Sequence, residues 1–348
     1  MPGVSVEAPR GKTELPRRWQ LDVHEYVTDA SISHDGALAA TATGGGEVVV
    51  IDVETGAERW RVRAHEGSAL AVAFSPREPI LATAGQDGRA RLFEATGAPR
   101  AELPGKGGKA GWVEHIAWSP DGRLLAASSG RVLRLWASSG EPRLETEAHP
   151  STVAAVAWRK DGREIATCCY GGVHLWTVES GARGRRLEWK GSLVAMAWSP
   201  DGRVIACGSQ DASVHFWRLP SGSDSEMRGY PFKPKVIAWD SGSTMLATGG
   251  DATITIWKFL GKGPEGKPPQ QLAGHKALCT ALAFAPKSGR LASGAADTGI
   301  LVWEPHKGGK PTNYAFLEDE ITKLVWHPDG KRLLAADTSG RVGLFEIG

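Results

Sequence analysis

The 348-residue sequence carries little net charge: 41 basic residues against 39 acidic ones leave +2 with histidine neutral. No long-range field therefore favours nucleic acid or an anionic membrane as a partner. No apolar run approaches the length needed to span a bilayer, and Met1 to Arg18 lacks the apolar block of a secretory signal. A soluble, cytoplasmic chain is expected. Cysteine is scarce: Cys168, Cys169, Cys207 and Cys279 lack C-x-x-C metal spacing and read as buried, reduced thiols. Neither H-E-x-x-H nor G-x-S-x-G occurs, which leaves a zinc protease helix and a nucleophile elbow unsupported. Gly261-Lys262-Gly263-Pro264-Glu265-Gly266-Lys267 has the spacing of a phosphate loop, but Pro268 and Pro269 stand where a Ser or Thr must open a helix. It reads as a hairpin, and no cofactor or metal is expected.

What the sequence does have is a repeat. Gly274 to Trp303 holds three short apolar runs, Ala281 to Phe284, Arg290 to Ser293 and Gly299 to Trp303, each bounded by turn residues. Runs of this length and composition read as strands, and a unit so small cannot bury its apolar faces alone. The residue closing the first run recurs as Ile32, Phe74, Trp118, Trp158, Trp198, Trp239, Phe284 and Trp326, at intervals of 40 to 45 residues. A second anchor closes the third run at Ile51, Phe93, Trp136, Trp176, Trp217, Trp257, Trp303 and Phe345. Between the first two runs lie turns such as Ser119-Pro120-Asp121-Gly122, in which Pro presets φ and Gly accepts a positive one. Eight copies of each anchor lead to an expectation of eight blades, with residues 16–348 forming the ring and residues 1–15 a tail.

These residues resemble the WD40-repeat family over roughly residues 17 to 348. The resemblance implies an all-β, single closed eight-bladed β-propeller of four-stranded antiparallel blades, its last blade completed by an N-terminal strand near Arg17 to Asp22. It also implies a hydrogen-bonded tetrad in each blade. Carried onto this sequence, that tetrad is complete in the seventh repeat as His275, Ser293, Asp297 and Trp303. The second repeat keeps His65, Thr83 and Asp87 beside Phe93. The fourth keeps His149, Thr167 and Trp176, with Tyr170 near the position of the Asp. In the fifth, Trp189 stands in the register of the missing histidine and is expected to fill its place by packing. The second-turn aspartates Asp87, Asp211, Asp251 and Asp297 read as structural acceptors.

Candidate partner contacts come from loops that the resemblance places on the top face. They are Trp112, which follows a flexible loop containing Lys106 and Lys109; Tyr230, Phe232 and Lys233 in a Pro-bracketed connection; and the acidic group Glu318, Asp319 and Glu320. Each has a plainer reading, as a cover over a blade or as a solvated turn. The expected function is a non-catalytic scaffold that binds a protein or peptide partner through these loops, as a monomeric ring. The alternative is a propeller enzyme, or a small-ligand or metal binder, using His, Asp or Glu side chains gathered from several blades at the central channel. If an N-terminal strand closes the ring, deleting residues 1–22 exposes a sheet edge. The melting temperature, read by scanning calorimetry, should then drop markedly or the protein aggregate; an unchanged melt would count against closure.

Overall fold

The computed structural model describes residues 11–104, 111–261 and 263–348. Lys106 and Lys109 lie outside the described residues. Every regular element among the described residues is a β-strand, and the strands make seven hydrogen-bonded sheets. The first sheet contains Val27–Ile32, Leu38–Thr43, Glu47–Asp52 and Glu58–Arg63, in chain order from the axis outward. The innermost strand of each repeat packs against that of the next, and Ile321–Trp326 packs against Val27–Ile32, so the ring closes.

The expected eight-bladed propeller is corrected by the hydrogen bonding. Counting each continuous sheet as a blade, the propeller has seven. Five sheets are four-stranded, one has five strands and one has six. The six-stranded sheet takes up the fourth and fifth repeats together, because Arg183–Trp198 runs unbroken from the outer edge of one to the inner strand of the other. The same strand pairs with Glu164–Thr177 on one side, down to Tyr170 opposite Ser192, and with Val204–Ser209 on the other. The local sequence explains the merger. Glu188-Trp189-Lys190-Gly191-Ser192 carries no proline and no Gly-His pair to interrupt the ladder. The turn opposite is Tyr170-Gly171-Gly172, and the glycines, at φ of 90° and 124°, keep that hairpin within the sheet.

The N-terminal segment closes the ring. Arg17–Asp22 pairs antiparallel with Arg341–Glu346, completing the last sheet. Pairing starts earlier than the expected tail boundary: Thr13–Glu14 lies parallel to Asn313 and Tyr314, and Leu15 is buried among Ala315, Trp326, Phe345 and Ile347. On the bottom face, Arg18 pairs with Glu346 at 3.1 Å and with Glu54, which Arg332 also meets at 3.3 Å. Three stretches far apart in sequence are thereby joined at the seam.

Second strands such as Leu38–Thr43, Ile80–Gly85 and Leu291–Ala295 are buried along nearly their whole length. Each packs against neighbouring sheets on both faces, which is why they are rich in alanine rather than alternating with polar residues. All four cysteines are buried and unpaired. Adjacent repeats are also joined by a belt of indole hydrogen bonds. Trp118 Nε1 donates to the Ala73 carbonyl at 3.0 Å and Trp158 Nε1 to Ala117 at 2.9 Å. Trp198 donates to Ala157 at 3.2 Å, Trp239 to Ala197 at 3.3 Å and Trp326 to Ala283 at 2.8 Å. Each acceptor belongs to the preceding repeat, one residue before its own anchor. Ile32, Phe74 and Phe284 occupy the same position without a donor, and at Phe74 the backbone amide bonds Ser31 Oγ instead, at 3.1 Å. Trp326→Phe keeps the packing and removes only the donor, so urea denaturation should show a loss of about 1–3 kcal/mol. Trp303→Ala also empties a fully buried site, and should cost about 3–5 kcal/mol by the same measurement.

Candidate functional site on the channel mouth

The blade tetrads come first, because they decide which top-face residues are available to a partner. In the seventh repeat, Trp303 Nε1 donates to Ser293 Oγ at 2.8 Å, and Ser293 lies 2.7 Å from His275 Nε2. His275 Nδ1 is 3.2 Å from Asp297. The proton arrangement that satisfies all four groups runs from indole to hydroxyl to imidazole to carboxylate. Burial pushes the Asp297 carboxyl up, but the bond from His275 and those from the Lys276 and Gly299 amides hold it below its ordinary value. In the second repeat His65 bridges Thr83 and Asp87, both at 2.9 Å, and Arg91 braces Asp87 at 2.6 Å where the indole is missing. In the fourth, His149 Nε2 meets Thr167 at 2.7 Å, but its Nδ1 meets the Arg131 carbonyl at 2.8 Å. Tyr170 is exposed and takes no part.

Two repeats replace the histidine with another ring. Trp189 reaches Ser209 Oγ at 3.3 Å and lies over His215, ring centroids 4.0 Å apart. In the sixth repeat the substitute is Tyr230: Trp257 Nε1 donates to its hydroxyl at 2.6 Å, and that hydroxyl lies 2.6 Å from Thr248 Oγ1. Burial pushes the Tyr230 hydroxyl up to about 12 against both hydrogen bonds. Tyr230 therefore points into its blade and is not a partner-facing side chain.

Its neighbours are. Phe232 is 62% exposed, and with Lys233 it lines a top-face cavity of about 820 Å³. The loop is held by two close approaches: a Cβ on Gly208 would sit 1.8 Å from the Pro234 carbonyl, and one on Gly250 would sit 2.8 Å from the Phe232 carbonyl. Across the cavity stands Glu320, so the structure brings together three of the candidates, Phe232, Lys233 and Glu320. Trp112 is 53% exposed but lies outside this cavity. Glu318 pairs with Arg341 at 2.8 Å, and the amides of Glu318 and Asp319 both donate to the buried Asp337, at 3.0 and 3.1 Å. Those two acidic residues form a braced turn at the edge of the last sheet, and neither lines the cavity.

Sequence reasoning missed Tyr26, Leu278 and Asp251, which also line the cavity. Asp251 was expected to be structural. A signal for the first two exists: Tyr26, Lys233, Leu278 and Glu320 each stand six residues before their repeat's first anchor, Ile32, Trp239, Phe284 and Trp326. Trp112 holds that register before Trp118. Tyr26, Leu278 and Phe232 are three large apolar side chains left exposed around one opening.

Below the mouth, the channel contains Asp29 and Lys323, paired at 2.6 Å, with His115 nearby. Asp29 holds the Lys323 ammonium above the ordinary lysine range, against the opposing effect of burial. Burial pushes His115 down. Among the described residues, no group of three or more His, Cys, Asp or Glu is placed to hold a metal ion.

Comparison with known proteins fits this geometry. The family model "WD domain, G-beta repeat" matches residues 56–94, 97–137, 140–177, 185–218, 235–258 and 266–304. The chain belongs to the WD40 family. Among curated relatives, human Coronin-7 is 35% identical over 115 residues, spanning 31% of this chain and 12% of that protein. THO complex subunit 3 of Arabidopsis thaliana is 26% identical over 140 residues, spanning 40% of this chain and 43% of its own length. The ribosome biogenesis protein ytm1 of Botryotinia fuckeliana is 27% identical over 137 residues, covering 37% and 27%. The chain thus spans less than half of each of these relatives. In fold, it is similar to the crystal structure of the computationally designed Ika8 protein, with a TM-score of 0.81 and 20% identity over 96% of this chain and all of that one. The tetrad geometry separates two neighbouring residues of one loop. Tyr230→Phe should lower stability by about 1–3 kcal/mol, by leaving the Trp257 indole and Thr248 without their partner. Phe232→Ala should change it by less than about 0.5 kcal/mol; equal losses in denaturant titrations would contradict the placement.

Proposed function

We propose that this WD40 propeller is a non-catalytic scaffold that docks a protein or peptide partner over the mouth of its channel. The single observation that carries the reading is the convergence of Tyr26, Phe232 and Leu278, exposed by 47%, 62% and 46%, on one cavity also lined by Lys233, Asp251 and Glu320. Exposed apolar side chains ringed by charge are the composition of a docking surface, with an apolar centre and a polar rim. Trp112, in the same register, extends that surface toward the third sheet. The relatives support a role in assemblies: one is by name a subunit of a complex and another serves ribosome biogenesis. A cytoplasmic, monomeric ring with no affinity for nucleic acid or membrane belongs to the same proposal.

The test is affinity capture from the source cell, with wild type compared against a Phe232→Ala, Leu278→Ser double variant. Loss of an apolar centre should reduce recovery of the partner about tenfold or more, with the melting temperature unchanged. Equal recovery by the folded variant would remove the mouth as the docking surface.

A further inference from the structure

The mouth does not end at its rim. A second cavity of about 430 Å³ shares Lys235, Val236, Thr280 and Thr322 with it, so mouth and channel are one continuous space. Charge changes along this path. At the mouth, Lys233 and Lys235 face Asp251 and Glu320 in equal number. In the deeper cavity the charged lining residues are Lys235 and Lys323, and no carboxylate lines it. The carboxylate of Asp29 is occupied, paired with Lys323 at 2.6 Å and accepting the Val72 amide at 3.0 Å. Lys235 is exposed and has no ion pair among the described residues. His115, kept in its neutral form near pH 7 by burial, adds no charge. Glu114, beside it on the strand, does not line the cavity.

The hydroxyls at the same level are also committed. Thr280 Oγ1 donates to the Ile321 carbonyl and Thr322 Oγ1 to the Ala336 carbonyl, at 2.5 and 3.2 Å. They offer lone pairs to the channel, which suits incoming N–H groups. An entering chain therefore meets apolar side chains at the rim, acceptors for amide N–H below it, and in the deeper cavity one lysine, Lys235, without an ion pair among the described residues.

We infer that the occupant is an extended peptide whose apolar side chain packs among Tyr26, Phe232 and Leu278 and whose carboxylate passes inward to Lys235. This rests on the docking role given to the mouth. A chain terminus and an Asp or Glu side chain supply the same chemistry. A carboxylate brought to Lys235 gains a charge-assisted hydrogen bond, because no carboxylate lining the deeper cavity competes for that ammonium.

The probe is a set of random heptapeptides made in three forms: free C-terminal acids without Asp or Glu, C-terminal amides with Asp or Glu, and amides without either. Each is selected on the 348-residue protein, and hits are measured by fluorescence polarisation. Selection should enrich apolar sequences from the two carboxylate-bearing forms, and the richer form identifies the source of the carboxylate. Lys235→Met should weaken the selected peptides about tenfold or more, while Lys235→Arg retains most of the affinity, with melting temperatures confirming that both variants fold. Equal enrichment from the form without carboxylates, or affinity unchanged by Lys235→Met, overturns the inference. If binding is then still lost in Phe232→Ala, the docking role stands without the carboxylate. If no form shows Phe232-dependent binding, both fall.

Discussion

Everything in this ring depends on repeats that cannot stand alone being packed against one another near the axis, and the bond that joins many of them is a tryptophan N–H aimed at the preceding repeat's backbone. An indole buried between sheets must find an acceptor or leave its N–H unpaired, at a cost comparable to the bond itself. Trp118, Trp158, Trp198, Trp239 and Trp326 meet that demand with carbonyls that the pleated ladder leaves pointing sideways. Packing and hydrogen bonding thus fix the same inter-repeat distance. The residue just before the anchor is Ala73, Ala117, Ala157, Ala197, Ala238 and Ala283 in six repeats, with Ser31 and Val325 in the others. A small side chain there leaves room for the ring of the following repeat.

Farther out, the same rule of satisfying every buried donor acts with more freedom. The strand-two hydroxyl nine residues past the first anchor meets a histidine in the second, fourth and seventh repeats and a tyrosine in the sixth; in the fifth that position is Cys207, and Trp189 bonds Ser209 two residues farther on. What is fixed is a ring-shaped group with a polar atom at the right depth, not the identity of the residue. Tyr230 meets the requirement with one oxygen, accepting from Trp257 while bonded to Thr248. Arg131 shows the converse in the fourth repeat, where a backbone carbonyl takes the place of the absent carboxylate.

This explains which parts of the molecule could be read in the sequence. The repeat and its strands follow from local spacing, and spacing is written in the chain; the closing N-terminal strand and the complete tetrad are implied by the family resemblance that this spacing carries. The number of sheets does not follow from spacing. It depends on whether a ladder is interrupted between consecutive repeats, and from Arg183 to Trp198 nothing interrupts it. Tyr230 was misplaced because a tyrosine between glycine and proline has the composition of a surface loop. Its burial comes from a hydroxyl and an indole supplied by strands 18 and 27 residues later. Phe232, Lys233 and Glu320 were found by their loops, but their meeting in one cavity was hidden, because nearly 90 residues separate Phe232 from Glu320. Asp337 was missed as the residue that braces Glu318 and Asp319.

The contrast between two registers bears on why the mouth should carry specificity. One residue before the anchor, the belt needs a small side chain, and seven of the eight repeats supply Ala or Ser. Six residues before it they diverge, from small hydroxyl residues to aromatic, aliphatic and charged ones: Tyr26, Ser68, Trp112, Thr152, Ser192, Lys233, Leu278 and Glu320. Apart from Ser192, which lies within a long strand, these positions precede or open the innermost strands, above the last indole bond, and Tyr26, Trp112, Thr152 and Leu278 are exposed there. The fold places no common demand there, so a large exposed aromatic or aliphatic group is not explained by packing. It lowers solubility without adding to the core. A partner that covers Tyr26, Phe232 and Leu278 removes that cost, and a ring that varies one residue per repeat can set an asymmetric pattern of charge and shape around a symmetric opening.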